Sequence, residues 1–382
     1  MKRLLKHGGL AAAILAMSFA VSAQDKTIRI GVLVPASGPA SYFGLPAKQA
    51  MEMAVEEVNK TGVNGYKLQL QVEDGACSPL QSTNVVKKLI DQFKPHVMIG
   101  EWCSDAALAV APIQNAAKIP TINVTSATDR LTESGYRYIF RIFPHAEMQN
   151  TRLARYATER MGAKTAVILY EKTNAGLDNA NSFEKHFVAG GGKVLAKIDF
   201  GKDVNDFTPI ATRVASLGKV DVLPTYGLEG QVLRVTQALA QVGVTKGGGG
   251  PGSPIGTIFL PYGFDKKAGP SSVGYVRIVQ FDPTEQRAVV QDFVKAFKAK
   301  FGESEVPSHI HAHSYDAIML IADAIRRGGN SSESIRERLA QTKKLELTTG
   351  FITFDEKGQN IDPSTMHFVE TNKDYSWKSL SW

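Results

Sequence analysis

Hydroxyl and thiol side chains cluster directly after short apolar runs in this chain of 382 residues. Cys103 and Ser104 follow the run "HVMIG", and Ser126 and Thr128 follow "TINV". A strand end next to a helix N-terminus favours anions, because the first N–H groups of a helix have no partners within it. Two such turns on neighbouring strands can converge on one small anion. An equally weighted alternative is that these hydroxyls only cap the helices that follow.

The first 23 residues have the pattern of a signal peptide, with an apolar core between a basic start and small residues. We expect cleavage after Ala23 and export, most simply to a bacterial periplasm. No cysteine follows the cleavage site, so we expect no lipid anchor, and no later apolar run is long enough to cross a bilayer. The mature chain has only Cys77 and Cys103. In an oxidising space such a pair more often forms a disulfide than a metal site.

Composition and motifs exclude several classes of function. Loss of the three cations of the signal peptide takes the formal charge from +7 to +4, which is too small and dispersed to indicate nucleic-acid binding. No nucleophile elbow, phosphate loop, metal set or dinucleotide turn occurs in the right context. Glycine-rich tracts at 189–193 and 246–254 lack the spacing or position of a phosphate loop. We therefore predict a protein that is not an enzyme and that holds no cofactor or metal.

Short β-rich runs alternate with amphipathic helical segments over most of the chain. One series runs from "TIRIGVLVP" to "TINVT", and a second from "TAVILYE" to "GTIFLPYG", on either side of a break around "YRYIFRIFPHAEMQ". This alternation implies parallel sheets covered by helices, and the length exceeds what one core usually serves. The sequence therefore predicts an α/β fold of two doubly wound lobes. In such lobes a ligand site lies beyond the carboxyl ends of the strands.

Five segments in order resemble the leucine/isoleucine/valine family of type I periplasmic binding proteins, the solute receptors of a class of ABC importers. They are "IGVLVPASGPASYFG", "NGYKLQLQVEDGACSPLQS", "MIGEWCSDA", "IPTINVTSATDRLTESGYRYIFR" and "GFITFDEKGQ". The resemblance covers nearly all of the mature chain. It implies lobes joined by three crossings, near Phe143, Tyr275 and Phe351, that close around a ligand by hinge motion. The lobes then comprise residues 24–143 with 276–351, and residues 144–275 with 352–382.

The resemblance also implies a disulfide bond and the molecules with which the protein interacts. Cys77 and Cys103 match the family's disulfide, which would close a loop of about 27 residues and stabilise the fold by roughly 3 kcal/mol. The protein is then expected to be a monomer that is not inserted in the membrane and that delivers a small carboxylate ligand to an inner-membrane ABC permease. A sensory receptor that signals to a membrane partner is an alternative that the fold permits.

The family's carboxylate-binding residues match Ser104, Ser126 and Thr128, but the match fails where an amino acid's ammonium should be held. At the position of the family's acid, in "FLPYGFD", this chain has Tyr262. A cation buried without a counter-charge costs several kcal/mol, so the sequence favours a carboxylate ligand that has no α-amino group. Asp265 or Glu229 could replace the missing acid and restore amino-acid binding, although the favoured interpretation of each is a solvated acid.

Aromatic residues at other matching positions indicate a flat or bulky side group on the ligand. The expected rings are those of Tyr42, Phe43, Trp102 and Tyr226, and Ala175 stands where the family has an aromatic residue. For Trp102, packing under the sheet is an equally weighted alternative. We expect an aryl or aryl-alkenyl acid, with an aliphatic or aromatic amino acid as the alternative.

Three histidines alternate at 309, 311 and 313 in "SHIHAHSYDA". Their spacing resembles a metal site, but no carboxylate cluster accompanies them. We predict a loop that leads into the helix "SYDAIMLIADAIRR", with one imidazole facing the cleft.

Overall fold

The computed structural model describes residues 26–244, the backbone of 253–257, and residues 263–382. The predicted signal peptide and Tyr262 lie outside these ranges. The strands are β1 (Lys26–Val34), β2 (Tyr66–Asp74), β3 (Val97–Ile99), β4 (Thr121–Asn123), β5 (Ile139–Arg141), β6 (Thr165–Glu171), β7 (Lys193–Phe200), β8 (Val222–Tyr226), β9 (Ser253–Thr257), β10 (Val276–Val279), β11 (Leu345–Leu347), β12 (Gly350–Ile352), β13 (His367–Thr371) and β14 (Trp377–Leu380).

Helices connect most of these strands. They are α1 (Gly44–Thr61), α2 (Pro79–Lys88), α3 (Ser104–Ala116), α4 (Arg130–Glu133), α5 (Ala146–Arg155), α6 (Asn174–Ala189), α7 (Thr208–Ser216), α8 (Glu229–Gln241), α9 (Phe264–Ala268), α10 (Ala288–Phe301), α11 (His309–Arg326) and α12 (Ser332–Ala340). No helix in the described ranges is both long and apolar enough to span a bilayer.

Two large sheets organise the chain. The first is wholly parallel, in the order β2-β1-β3-β4-β5. The second has the order β14-β13-β10-β9-β8-β6-β7, in which only β13 and β14 run antiparallel to their neighbours. We call each sheet with its packed helices the first lobe and the second lobe. The predicted α/β architecture of two parallel-sheet lobes is confirmed.

Burial on both faces explains the apolar runs of the central strands. In β6, Ala166 and Ile168 pack in one cluster with side chains of α5 and α6. Val167 and Leu169 point to the other face and pack with α7 and α8. Because successive side chains of a strand alternate in direction, a strand covered on both faces has to be apolar throughout.

The chain crosses between the lobes later than the resemblance implied at two of three places. Residues 276–279 form β10 of the second sheet, and the first-lobe core resumes at Phe281, so this crossing follows β10 rather than Tyr275. Phe354 still packs in the first-lobe core, so the last crossing falls beyond Phe351. The first crossing lies between β5 and α5.

The predicted disulfide between Cys77 and Cys103 is confirmed. It joins the turn after β2 to the residue that precedes α3. The bond therefore holds together the N-terminal ends of α2 and α3, two helices that follow the strands on either side of β1.

We predict that replacing both cysteines, Cys77→Ser with Cys103→Ser, lowers the free energy of unfolding. The two residues are 26 apart in sequence, and on the loop-entropy model a loop of this size is worth about 3 kcal/mol. Urea denaturation of the oxidised protein and the double variant measures the difference. Reduction of the wild-type protein should lower its free energy of unfolding by the same amount. Equal stability of all three forms would show that the disulfide does not stabilise the fold.

Candidate functional site

A cavity of about 330 Å³ lies at the carboxyl ends of strands from both lobes. Segments that follow β1, β2 and β3 form its first-lobe wall. Segments that follow β6, β7 and β8 form its second-lobe wall. This is where the topology of doubly wound sheets places ligands.

The turn after β3 is built around a buried acid, Glu101. One carboxylate oxygen accepts a bond from the Ser82 hydroxyl at 2.7 Å, and the other accepts the Trp102 N–H at 3.0 Å. Burial raises the pKa of Glu101, and these bonds oppose the shift. Asn123 and Thr125, from the neighbouring turn after β4, donate to the carbonyls of Glu101 and Trp102. The two turns are thereby locked to each other.

Ser104 lines the cavity, and its hydroxyl oxygen is held by two donors from the neighbouring turn. Its oxygen accepts the Ser126 hydroxyl at 3.1 Å and the Thr128 N–H at 3.3 Å, which occupies both lone pairs. Within the described ranges this hydroxyl donates no bond. Ser104 lines the cavity, whereas Ser126 and Thr128 are buried behind it. The structure thus brings the three predicted carboxylate residues together, with only Ser104 in the wall.

The buried guanidinium of Arg141 holds the turn that contains Ser126 and Thr128. It donates to the carbonyls of Ser126 and Thr128, to the Thr132 hydroxyl, and to the Gln359 side chain at 2.6 Å. Burial lowers the pKa of Arg141 to about 10, so the group remains charged at neutral pH. Sequence reasoning did not identify this residue, because its partners come together only in the fold.

Polar contacts join the two lobes at the rim of the cavity. The Thr128 hydroxyl donates to Asp178 of α6 at 2.5 Å. Asp105 of α3 accepts from the Asn174 N–H at 3.1 Å, and its second oxygen lies 3.4 Å from the Lys202 ammonium. The Thr128 side chain is therefore engaged with the opposite lobe, and it contributes to the site through its backbone N–H.

Three of the four described aromatic candidates line the cavity. They are Phe43, Trp102 and Tyr226. The Tyr226 hydroxyl donates to Asn150 at 2.6 Å, so the residue offers the cavity its ring. Tyr42 does not line the cavity but stacks on Phe43, with ring centroids 4.3 Å apart. It therefore supports the wall from behind.

Neither acid expected as a substitute for the missing anchor lies in the wall. Asp265 is buried and pairs with Arg277 at 2.5 Å, and it also accepts from the Trp377 indole. Glu229 pairs with Lys267 at 2.7 Å. Each acid already has a positively charged partner, and neither is among the described residues that line the cavity.

One acid that the sequence analysis missed does line the cavity. Glu171, the last residue of β6, is only 3% exposed. One carboxylate oxygen accepts the Leu228 N–H at 3.1 Å, while the other has no partner among the described residues. Burial raises the pKa of Glu171. Its position after a strand of the second lobe could have identified it, because the same rule identified Ser104 in the first lobe.

The histidines form no part of the cavity wall. The helix α11 begins at His309, five residues earlier than predicted, so the expected loop is wrong. His311 accepts the Ser308 N–H and thereby closes the start of the helix. Burial lowers the pKa of His309 to about 3 and that of His313 to about 4, so both rings are neutral at physiological pH.

Comparison with known proteins decides the family. A family model described as periplasmic binding protein matches residues 27–376. The chain belongs to the periplasmic binding protein family. Members of this family are solute receptors rather than a class of enzymes, and the resemblance found in the sequence is confirmed.

Individual relatives cover most of this periplasmic binding protein. A leucine-, isoleucine-, valine-, threonine- and alanine-binding protein of Pseudomonas aeruginosa is 28% identical, and the match covers 88% of each chain. The crystal structure of a leucine binding protein from Thermotoga maritima has a TM-score of 0.84 at 24% identity, and the match covers 93% of this chain and 98% of that one. A solute binding protein of an ABC transporter from Rhodopseudomonas palustris, in complex with 3,4-dihydroxybenzoic acid, has a TM-score of 0.82 at 24% identity, over 93% and 96% of the two chains.

We predict that Asp265→Asn destabilises the protein and leaves ligand affinity unchanged. The change leaves the buried Arg277 without its counter-charge, which typically costs about 3 to 5 kcal/mol. Urea unfolding without ligand and calorimetric titration with ligand separate the two effects. Loss of affinity at unchanged stability would instead show that Asp265 holds the ligand. Glu229→Gln, whose acid is paired with the exposed ammonium of Lys267, serves as the matched control and should change neither quantity by much.

Proposed function

We propose that this chain is the solute-binding component of an ABC importer of the branched-chain amino-acid type, and that it closes around a small carboxylate ligand. Family membership supports the receptor role, and the position of the cavity between two lobes supports closure by hinge motion. A monomer in the periplasm that delivers its ligand to an inner-membrane permease follows from the same proposal.

One observation supports the proposed carboxylate site: the Ser104 hydroxyl donates no hydrogen bond among the described residues. The Ser126 hydroxyl and the Thr128 N–H occupy the lone pairs of the Ser104 oxygen, which leaves its proton available to a ligand. The same residue begins α3, whose first N–H groups have no side-chain cap. A carboxylate at this place would receive one hydroxyl bond and several backbone N–H bonds, aided by the partial positive charge of the helix end.

The cavity walls around Ser104 suit a flat or bulky apolar group on the ligand. The rings of Phe43, Trp102 and Tyr226 border the cavity, and Ala175 leaves a corner open. Of the two similar structures, one is named a leucine binding protein and the other is a complex with 3,4-dihydroxybenzoic acid. Ser104 suits both classes equally, because both present the same carboxylate.

We predict that Ser104→Ala weakens binding of the cognate carboxylate by about 10- to 100-fold, the usual loss for a hydrogen bond to a charged group. Calorimetry gives the affinity, and the ligand is first identified by mass spectrometry of whatever native protein releases on denaturation. A thermal-shift panel of aliphatic amino acids, aromatic amino acids and aromatic acids provides an independent ranking, because ligands that bind only the native state raise the melting temperature.

Ser182→Ala is the matched control. This serine is also buried, but it does not line the cavity, and its hydroxyl donates to Glu147 of α5. Its loss should lower stability and leave affinity as it is. If Ser104→Ala behaves in the same way, Ser104 caps its helix and does not bind a carboxylate.

A further inference from the structure

Of the described residues, two arginines are fully buried, and they differ in what balances their charge. Arg277 pairs with the carboxylate of Asp265. The guanidinium of Arg141 donates only to neutral oxygens, which are the carbonyls of Ser126 and Thr128, the Thr132 hydroxyl and the Gln359 side chain. The charge of Arg141 is therefore met by dipoles and by no direct counter-ion among these residues.

Four acids favour the charged form of Arg141 from a longer range, and each is engaged elsewhere. They are Asp129, Glu133, Asp178 and Asp355, which contact His145, Lys357, Thr128 and two backbone N–H groups respectively. A buried cation that lacks a direct ion pair keeps a positive potential around it, because the protein interior screens charge less than water does.

The potential of Arg141 reaches the place where Ser104 would receive a carboxylate. The guanidinium contacts the carbonyls of Ser126 and Thr128, while the hydroxyl of the first and the N–H of the second contact the Ser104 oxygen. One layer of protein thus separates the cation from Ser104, a distance of about 8 Å to a bound carboxylate. At that distance two unit charges in a protein interior change an affinity by about 10- to 30-fold.

The cavity wall itself offers a carboxylate little positive charge. Besides the Tyr226 phenol, its described ionisable residues are Asp105, Glu171 and Lys202. Lys202 lies 3.4 Å from Asp105 and forms an ion pair with it. This set is net negative in its ionised forms, so a carboxylate ligand needs a positive charge behind the wall. Arg141 is the cation that the fold places there.

We propose that Arg141 is the positioning residue that supplies the counter-charge for the ligand's carboxylate, acting through the turn it holds and without touching the ligand. This inference rests on the proposed carboxylate receptor function. Backbone bonds fix Arg141 as well, since its N–H donates to Gly358 at 2.8 Å and its carbonyl accepts from Asn360 at 2.9 Å. The charge is therefore in place before a ligand arrives, which favours binding.

The test measures how strongly the protein prefers a carboxylate to the uncharged carboxamide of the same shape. The ligand pairs are benzoate with benzamide, 3-phenylpropanoate with 3-phenylpropanamide, leucine with leucinamide, and phenylalanine with phenylalaninamide. Calorimetry on wild-type protein should find at least one acid that binds about tenfold more tightly than its amide, or better. If Arg141 only holds the turn, its loss weakens binding of the acid and the amide alike. If it supplies the counter-charge, its loss lowers the preference for the acid.

Thr132 allows the charge to be cancelled while the arginine stays in place. Its hydroxyl accepts from the guanidinium at 2.9 Å, and the residue is buried and does not line the cavity. Thr132→Asp places a carboxylate against Arg141, and Thr132→Asn places a neutral oxygen of the same shape there. Thr132→Asp should lower the preference for the acid over the amide by about tenfold or more. Thr132→Asn should keep the preference, because it adds no charge.

Substitution of Arg141 itself gives a second comparison. Arg141→Met removes the charge and should lose the preference for the acid. Arg141→Lys keeps the charge and should keep most of the preference, although an ammonium cannot reach all four acceptors. Both variants should lose stability in urea, so the preference separates them and the stability does not. If Arg141→Met does not fold, the Thr132 pair decides alone.

A measurement without ligand checks the premise that Arg141 lacks a counter-ion. Because Thr132→Asp provides one, its urea midpoint should equal or exceed that of Thr132→Asn. A clearly lower midpoint would show that the charge of Arg141 is already balanced, and the proposal would be overturned.

The binding results identify which idea fails. If wild-type protein prefers an acid and either Thr132→Asp or Arg141→Met keeps that preference, the role of Arg141 is overturned while the carboxylate receptor function stands. If no acid of the panel binds, or if the amides bind as tightly as the acids, the receptor function proposed from Ser104 fails, and the role of Arg141 fails with it.

Discussion

The first-lobe half of the site depends on the hydrogen bonds that the buried guanidinium of Arg141 donates. A cation without access to water has to be met by several acceptors, and Arg141 finds two of them in the carbonyls of Ser126 and Thr128. The turn held in this way directs one hydroxyl and one N–H at Ser104. The bond from Arg141 to Gln359 adds the last segment of chain that passes between the lobes. Arg141, which does not line the cavity, therefore holds the turn behind Ser104 and also a segment of chain that passes between the lobes.

Two buried acids of the second lobe, Asp265 and Glu171, differ in the partners that surround their carboxylates. Asp265 accepts from Arg277, Thr371 and Trp377, so its charge is balanced and it stabilises the lobe. Among the described residues, Glu171 accepts a single hydrogen bond, from the backbone N–H of Leu228. Both acids are almost fully buried, and residue type alone does not distinguish them. What differs is whether the fold brings an arginine to the carboxylate.

Apolar runs predicted the long strands and also the three-residue strands β3 and β4, but they missed β5 and β10. The runs of β2, β6 and β7 coincide with the observed strands, because seven to nine residues are enough to show a pattern. The strand β5 has three residues and lay hidden in the predicted break, and β10 has four. The start of α11 was missed because histidine is polar by type, although His309 and His313 are buried here.

The site was predictable where a local rule sufficed. Ser104 and the disulfide follow from the order of strand, turn and helix together with the family resemblance. Glu171 obeys the same strand-end rule, but the resemblance directed attention to a later strand. Whether Asp265 is free could not be read from sequence, since its partners stand 12, 106 and 112 residues away.

The contacts between the lobes explain why a ligand has to contribute to closure. The ion pair of Lys202 and Asp105 is partly exposed, with 46% and 24% of the two side chains accessible, and pairs of this kind contribute about 0 to 1 kcal/mol. Moving a two-state equilibrium from mostly open to mostly closed takes about 5.5 kcal/mol. An exposed pair of this kind therefore contributes little to closure by itself. A carboxylate ligand held at Ser104 would be buried between the two walls, where charge-assisted bonds are stronger. Contacts of such a ligand with both walls would supply most of the difference between the open and the closed receptor.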